Sequence, residues 1–194
     1  MAQGSNPTKV MTGKVRLSYA NIVNPRPNDD GKDTWSTVLL IPKDDKKTLM
    51  ALKAAAEQAL KDGIASQKLK AGTSLKNAWK TLKDGDERDD LDENPEYAGH
   101  YYMNVSAYQK PGIVDKNVQP ILDSSEIYSG MYARVDINAY PYKSKGNTGV
   151  TFGLNNVQKW ADGDFLGGRA RAEDVFDALD NDLEEDSDEE FNLL

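Results

Sequence analysis

Residues 131–143 of the 194-residue chain read MYARVDINAYPYK, and this stretch decides the fold. Apolar and polar side chains alternate along it, which is typical of a β-strand with one buried and one exposed face. The face expected to be buried carries Met131, Ala133, Val135, Ile137 and Ala139. The opposite face carries Tyr132, Arg134, Asp136, Asn138 and Tyr140. The following KSKGNTG (143–149) predicts a hairpin loop, and VTFGLNNVQKW (150–160) predicts the returning strand.

Three earlier segments predict strands, and one long segment predicts a helix. The strand segments are KVRLSYANI (14–22), WSTVLLIP (35–42) and HYYMNVSAYQ (100–109), and in the first of them Val15, Leu17 and Tyr19 are expected on the buried face. The Ala- and Leu-rich segment 43–63 predicts the helix, with Asp44 and Asp45 at its start and Gly63 at its end. Five strands and one inserted helix predict a mainly β fold, an OB-like five-stranded barrel. A β-sandwich stays open, because periodicity does not separate the two architectures.

The charge distribution divides the chain into a basic body and an acidic tail. Residues 173–194 contain 11 acidic residues and no basic one, which leaves 21 acidic and 24 basic residues in 1–172. Within 1–83 there are 15 basic and 7 acidic residues. We expect a flexible N-terminus (1–9), one domain (10–160), a linker (161–172) and a disordered acidic tail (173–194). A basic body favours nucleic acid as its partner.

The sequence has no signature of an enzyme. It contains no cysteine and a single histidine, His100, and it lacks the glycine-rich loop that cradles phosphates in NTPases. The eight acids of segment 84–96 predict an exposed acidic loop; a metal-dependent nuclease built on them is the weaker alternative. We therefore predict a non-enzymatic protein without cofactor or metal. With no secretion signal and no membrane-spanning stretch, we expect the cytoplasm, that of the host if a phage encodes the chain.

Aromatic rings and cations share the polar faces of the predicted strands. Rings that stack on bases and cations that follow phosphates are what a single-stranded nucleic-acid binder needs. The predicted DNA-binding residues are Lys14, Arg16, Trp35, Tyr102, Tyr108, Tyr132, Arg134, Tyr140, Tyr142, Lys143 and Lys145. Trp79 and Trp160 are assigned to packing instead. The alternative is that the tyrosines only stabilise the sheet through cross-strand pairs.

The chain ends in LEEDSDEEFNLL (183–194), an acidic run that closes on apolar residues. Charge would steer such a peptide to a basic groove, and its apolar end would supply local affinity. The predicted partner-binding residues are Glu189, Glu190, Phe191, Leu193 and Leu194. The tail could also fold back onto the DNA groove as a charge mimic, or lack a specific partner. A DNA-mimic or adaptor protein that binds a basic partner is the alternative function, and a homo-oligomer stays open.

The segments SGMYARVDINAYPYKSKGNTGVTFGLNNVQKW (129–160) and KVRLSYANIVNP (14–25), together with the acidic tail, resemble the single-stranded DNA-binding proteins of bacteriophage replication systems. The resemblance implies an OB fold, sequence-tolerant binding and protection of single-stranded DNA, and recruitment of replication or recombination proteins through the tail. The ending Asn192-Leu193-Leu194 differs from the terminal Phe or Pro-Phe of bacterial relatives, so a particular tail partner does not carry over.

Overall fold

The computed structural model describes residues 6–167, and five long strands dominate it. The predicted tail, with Glu189, Glu190, Phe191, Leu193 and Leu194, lies outside the described residues. The strands are β1 (Lys9–Met11), β2 (Val15–Pro27), β3 (Asp33–Pro42), β4 (Lys83–Asp84), β5 (His100–Ala107), β6 (Gly112–Val114), β7 (Tyr132–Ser144) and β8 (Asn147–Ala161). The helices are α1 (Lys46–Ala65) and α2 (Leu75–Ala78), with 3-10 turns at Gly85–Glu87, Pro95–Tyr97 and Ser124–Glu126.

The five long strands close into a ring. Their order is β7-β2-β3-β5-β8, and β8 pairs again with β7. The β5–β8 contact is a single parallel pair, Ser106 with Gly153, so the barrel is closed only in part. A partly open five-stranded barrel is the OB architecture. The mainly β, OB-like prediction is confirmed, and the short strands β1, β4 and β6 are additions at its edges.

Helix α1 packs against the barrel, chiefly on β7. The carboxylate of Asp45 accepts a hydrogen bond from the backbone N–H of Thr48 at 3.0 Å and caps its first turn, as the sequence predicts. The predicted end is wrong, because α1 continues to Ala65 with Gly63 inside it. An ideal Cβ on Gly63 would lie 2.7 Å from Cβ of Pro141, so this glycine permits close packing on β7. Within residues 6–167, no helix is long and apolar enough to span a membrane.

The β7–β8 hairpin turns on two residues, Lys145 and Gly146. Both have positive φ, +49° and +82°, which is the requirement of a type I′ turn. The Lys145 ammonium lies 2.9 Å from the carboxylate of Asp30 in the β2–β3 loop. This ion pair brings together the tips of two loops at one edge of the barrel.

The predicted buried face of β2 is correct for Val15 and Leu17 and wrong for Tyr19. The β2–β3 register shifts between Ser18 and Asn21, and Tyr19 has a φ of +48°. A bulge of this kind breaks the two-residue alternation. The Tyr19 side chain is therefore turned to the surface, where it is 58% exposed.

Backbone contacts extend beyond both ends of the predicted domain. The carbonyl of Thr8 accepts a hydrogen bond from the N–H of Ala139, and β1 begins at Lys9, within the segment expected to be flexible. After β8, the chain from 162 to 167 turns back on the barrel, where the N–H of Leu166 donates to the carbonyl of Ser129. The first half of the expected linker is thus packed on the barrel.

Candidate nucleic-acid interface

Two exposed rings, one just after the end of β5 and one on β7, lie near the point where β5 meets β8. Tyr108 is 67% exposed and Tyr140 is 39% exposed. Between them lies Gly153, whose ideal Cβ would be 3.3 Å from Cε1 of Tyr140. The absence of a side chain at Gly153 therefore leaves room for the Tyr140 ring beside β8. Burial raises the pKa of the Tyr140 hydroxyl, and the nearby Tyr108 raises it further. We call Tyr108, Tyr140 and Gly153 the ring platform.

A hollow lined by amide and ammonium groups adjoins the platform. Its volume is about 520 Å³, and its polar lining comes from Gln109, Lys110, Asn155 and Asn156 beside Tyr108. These four residues are absent from the sequence-based site. The sequence feature that could have indicated them is the Asn155-Asn156 pair, at which the β7–β8 register shifts. The pattern of 150–160 predicts only a regular strand there. Amides and a lysine next to a ring can hydrogen-bond a nucleotide that stacks there.

Strand β7 carries one acidic residue, Asp136, and its negative charge is offset by neighbouring side chains. Asp136 is 5% exposed, and its carboxylate accepts hydrogen bonds from the side-chain amides of Asn155 (3.4 Å) and Asn156 (3.1 Å). The Lys9 ammonium lies 3.3 Å from the same carboxylate. These partners offset the negative charge that would otherwise repel a phosphate backbone.

The hairpin tip places further cations beside the platform. Lys143 is exposed, Lys145 bridges to Asp30, and Tyr142 is half-buried against Gly149. In an OB barrel, the second and third strands and the first–second and fourth–fifth loops bind oligonucleotides. Here those elements are β3, β5, the loop that carries Asp30 and the hairpin tip. The predicted residues Tyr108, Tyr140, Tyr142, Lys143 and Lys145 therefore come together.

Tyr102, at the other end of β5, is covered by the acidic segment. The Tyr97 ring contacts the Tyr102 ring edge-on with centroids 5.0 Å apart, and the Arg88 guanidinium lies 5.2 Å from the Tyr102 centroid. Arg88 also lies 4.1 Å from the Tyr97 centroid and donates to the Asp90 carboxylate from Nε at 2.7 Å. The Asp90 carboxylate raises the pKa of Arg88, which keeps the cation charged in this stack. These groups cover part of the Tyr102 ring, which is half-buried and therefore less accessible to a base than the exposed Tyr108.

The covering segment has a small apolar centre of its own. Leu40 alternates with the core residues Leu39 and Ile41, so its side chain is on the outer face, yet it is fully buried. Tyr97 is 1% exposed, and its hydroxyl lies 3.5 Å from Oγ of Ser18. The segment expected to be an exposed acidic loop is therefore anchored to the outer sheet face.

The acids of this segment pair with cations of the same chain. Lys43 pairs with Asp84 and, at 2.7 Å, with Asp86, while Asp90 pairs with Arg88. The bonds from Lys43 and from the Gly99 N–H lower the pKa of Asp86. Across residues 6–167, no group of three histidine, aspartate or glutamate side chains is arranged to hold a metal ion.

Three predicted residues gather at the far end of β7. Lys14 lies 4.8 Å and Arg16 5.7 Å from the Tyr132 ring centroid. Arg16 is committed to the backbone, since it donates to the carbonyls of Gly130 (3.2 Å) and Asp164 (2.8 Å). Eight residues separate Tyr132 from Tyr140, which is about 26 Å along a strand. Tyr132 therefore belongs to a different part of the surface from the platform.

The remaining two predictions also lie apart from the platform. Trp35 pairs with Ala107 in the β3–β5 ladder and shares the side of Thr37 and Leu39, which face the barrel interior, so it is on the opposite sheet face from Tyr108. Arg134 is exposed on the outer face, and its Nε donates to the Thr12 carbonyl at 3.3 Å.

A partly open OB-type barrel with rings, amides and cations on its outer face defines the class of single-strand nucleic-acid binders. The family model described as Enterobacter phage Enc34 ssDNA-binding protein matches residues 8–191. The chain belongs to this family of phage single-stranded DNA-binding proteins. This confirms the predicted resemblance, and because the family is one of DNA-binding proteins rather than enzymes, it also confirms that the protein is not an enzyme.

Individual relatives agree with the family match. Protein p50 of Acyrthosiphon pisum secondary endosymbiont phage 1 is 28% identical over 177 residues, covering 88% of this chain and 94% of p50. The single-stranded DNA-binding protein of bacteriophage Enc34 superposes with a TM-score of 0.66 at 21% identity, covering 89% of this chain and 92% of the other. The bacteriophage T7 protein gp2.5 superposes with a TM-score of 0.57 at 13% identity, covering 84% and 97%. At these identities, the solved structures show that the fold is shared.

Proposed function

We propose that this protein binds single-stranded DNA without sequence preference along the outer face of its barrel, and that the ring platform is the principal contact. The observation that carries the proposal is the pair of exposed rings, Tyr108 and Tyr140, held over Gly153 at the β5–β8 junction. The Enc34 protein, which shares the fold, has been solved in complex with single-stranded DNA. Bases stack on tyrosine regardless of their identity, so two rings support binding that tolerates any sequence.

Cations around the platform would contact the phosphates. Lys143 and Lys145 are at the hairpin tip, and Lys110 lines the adjoining hollow. We place Lys14, Tyr132 and Arg134 on a continuation of the path along β7, Tyr142 beside the platform, and Arg16 in a supporting role. Tyr102 and Trp35 would support the sheet, because one is covered by Arg88 and the other is on the interior side of β3.

We propose that binding along the barrel protects exposed single-stranded DNA. We further propose that the acidic tail recruits replication or recombination proteins. The support for recruitment is the sequence alone: acids that include Glu189 and Glu190, followed by Phe191, Leu193 and Leu194. Charge would guide the encounter, and the apolar end would fill a pocket of the partner.

An affinity comparison tests the DNA-binding proposal. The full-length protein is titrated with oligo-dT, with duplex DNA and with RNA of equal length at several salt concentrations. We expect the tightest binding to oligo-dT, weakening as salt increases, because phosphate contacts release counterions. Tyr108→Ala and Tyr140→Ala should each cost about 1–3 kcal/mol of binding free energy.

The matched control is Tyr19→Asn. Tyr19 is also exposed, but it lines a different hollow together with Glu93 and Glu96, and asparagine tolerates its positive φ. This variant should bind as tightly as the wild type. Failure of the wild-type protein to bind oligo-dT would instead favour the adaptor alternative.

A further inference from the structure

Trp160 is the one residue of the predicted packing set that is open to solvent. The sequence analysis predicts a packing role for Trp160, yet its side chain is 52% exposed. The indole nitrogens of Trp35 and Trp79 are buried. Trp160 lies near the end of β8, where the β7–β8 register shifts, and it lines a hollow together with Gln158 and Arg134, which pair across the two strands. An exposed indole costs solubility, and it offers the largest stacking surface of any side chain.

Cations surround one side of this indole. A hollow of about 270 Å³ is lined by Trp160, Arg134, Lys116, Gln158 and Lys159. The Thr12 carbonyl holds Nε of Arg134 at 3.3 Å, which orients the guanidinium without neutralising it. In the part of the chain from 6 to 167, no carboxylate forms an ion pair with Arg134 or Lys116, whereas Lys159 is paired with Asp162 at 2.9 Å. Two cations next to an exposed ring are thus available to an anion.

A second hollow that adjoins Trp160 has a different character. It measures about 430 Å³, shares Lys116 and Lys159 with the first hollow, and adds the carboxylates of Asp115, Glu126 and Asp162 to the lining. The first hollow has Arg134 in place of these three carboxylates, so an anionic strand would be attracted more strongly to the side of Arg134. The charge difference selects one of the two hollows for a phosphate backbone.

The Trp160 hollow lies in line with the ring platform. Arg134 and Tyr140 are on the same face of β7 and six residues apart, which is about 20 Å along the strand. A stacked strand rises about 3.4 Å per nucleotide, so about six nucleotides cover this distance. OB folds occupy about 4–16 nucleotides, and both positions therefore fit on one strand.

We propose that Trp160, Arg134 and Lys116 form a second subsite for the single-stranded DNA bound at the ring platform. One base stacks on the indole, and the adjacent phosphates contact the guanidinium and the ammonium. This inference rests on the proposed function and extends it from one contact point to a path along β7 and β8. Once the platform is occupied, the second contact is intramolecular, so it raises the affinity only for strands long enough to reach it.

The test compares two lengths of oligo-dT, of about 4 and about 16 nucleotides, on full-length variants. Trp160→Ala should weaken binding of the longer strand by about 5- to 150-fold. It should leave the affinity for the shorter strand nearly unchanged, because a short strand still binds the platform. Trp160→Phe should abolish most of the tryptophan quenching caused by the longer strand, since Trp160 is exposed whereas Trp35 and Trp79 are half-buried. Met50→Ala, which removes an exposed apolar side chain from α1, is the control.

The possible outcomes distinguish failure of the second subsite from failure of the proposed DNA binding. If Trp160→Ala binds the longer strand as tightly as the wild type, the second subsite does not exist, although binding at the platform stands. If Trp160→Ala instead binds more tightly, the hollow is held by the acidic tail and not by DNA, and the proposal is overturned. If the wild type binds neither length, the proposed function itself fails.

Discussion

The two ends of β5 present tyrosines on the same outer face, but only one end is open to solvent. Tyr102, near the start of the strand, lies under Arg88 and beside the buried ring of Tyr97. Tyr108, about 20 Å further along, is 67% exposed next to Tyr140. The local sequence of the two ends is equally favourable for base stacking. The difference arises from the acidic segment 84–97. It covers the outer face of β5 at Tyr102 and leaves the outer face at Tyr108 exposed to solvent.

Because of the covering segment, the two ends of the outer face also differ in charge. It brings eight acids to the covered end, while Lys110, Lys143 and Lys145 surround the open end. Ion pairs with Lys43 and Arg88 neutralise part of that acidity. An anionic strand would therefore be directed to the open end and along β7 and β8, away from the covered end.

The largest effect that we predict concerns the stability of the covered end. Tyr97→Ala removes a ring that is 1% exposed and should lower the free energy of unfolding by about 3–5 kcal/mol. Tyr108→Ala removes an exposed ring and should change it by less than about 0.5 kcal/mol. Urea denaturation of the two variants measures both values. Equal destabilisation would mean that the two ends do not differ as described.

A smaller effect concerns the attachment of the covering segment. The hydrogen bonds from Lys43 and Gly99 lower the pKa of Asp86, so this carboxylate stabilises the fold above its unfolded pKa of about 3.9. That contribution is lost as the pH falls through the lower, folded value. Lys43→Met should therefore be less stable than the wild type at pH 5–8, and the difference should shrink in more acidic solution. Urea midpoints measured from pH 8 down to below the unfolded pKa of about 3.9 test this prediction.

Lys53→Met is the control for this titration, because Lys53 is an exposed lysine of α1. It should show no pH-dependent difference from the wild type. A Lys43→Met effect of the same size at every pH would contradict an ion-pair attachment and indicate that Lys43 acts only through its contact with the Tyr101 ring.

Local pattern predicted the elements well, since alternation and helix signals depend on neighbouring residues. The five long strands, α1 with its Asp45 cap, and the ring character of the outer face were all predictable. The errors have non-local causes. A bulge turned Tyr19 outward, and the ladder register placed Trp35 on the interior side of β3. Neither feature has a signature in the spacing of apolar residues.

Whether a predicted site residue is exposed to solvent was the property that the sequence predicted least well. Tyr102 is covered by residues up to 14 positions earlier in the chain, and Trp160 is open because the strand beside it ends at Val114. Such contacts depend on the packing of distant segments, so the sequence identified the correct face but not its open part. The Asn155–Asn156 hollow was missed for a related reason, because a register shift creates it.

Photo-crosslinking of oligo-dT to the full-length protein tests the central claim most directly. After irradiation and digestion, mass spectrometry identifies the residues that carry a nucleotide. The account predicts adducts on Tyr108 and Tyr140 and none on Tyr97 or Tyr102. Adducts on Tyr102, with none on Tyr108 and Tyr140, would contradict it.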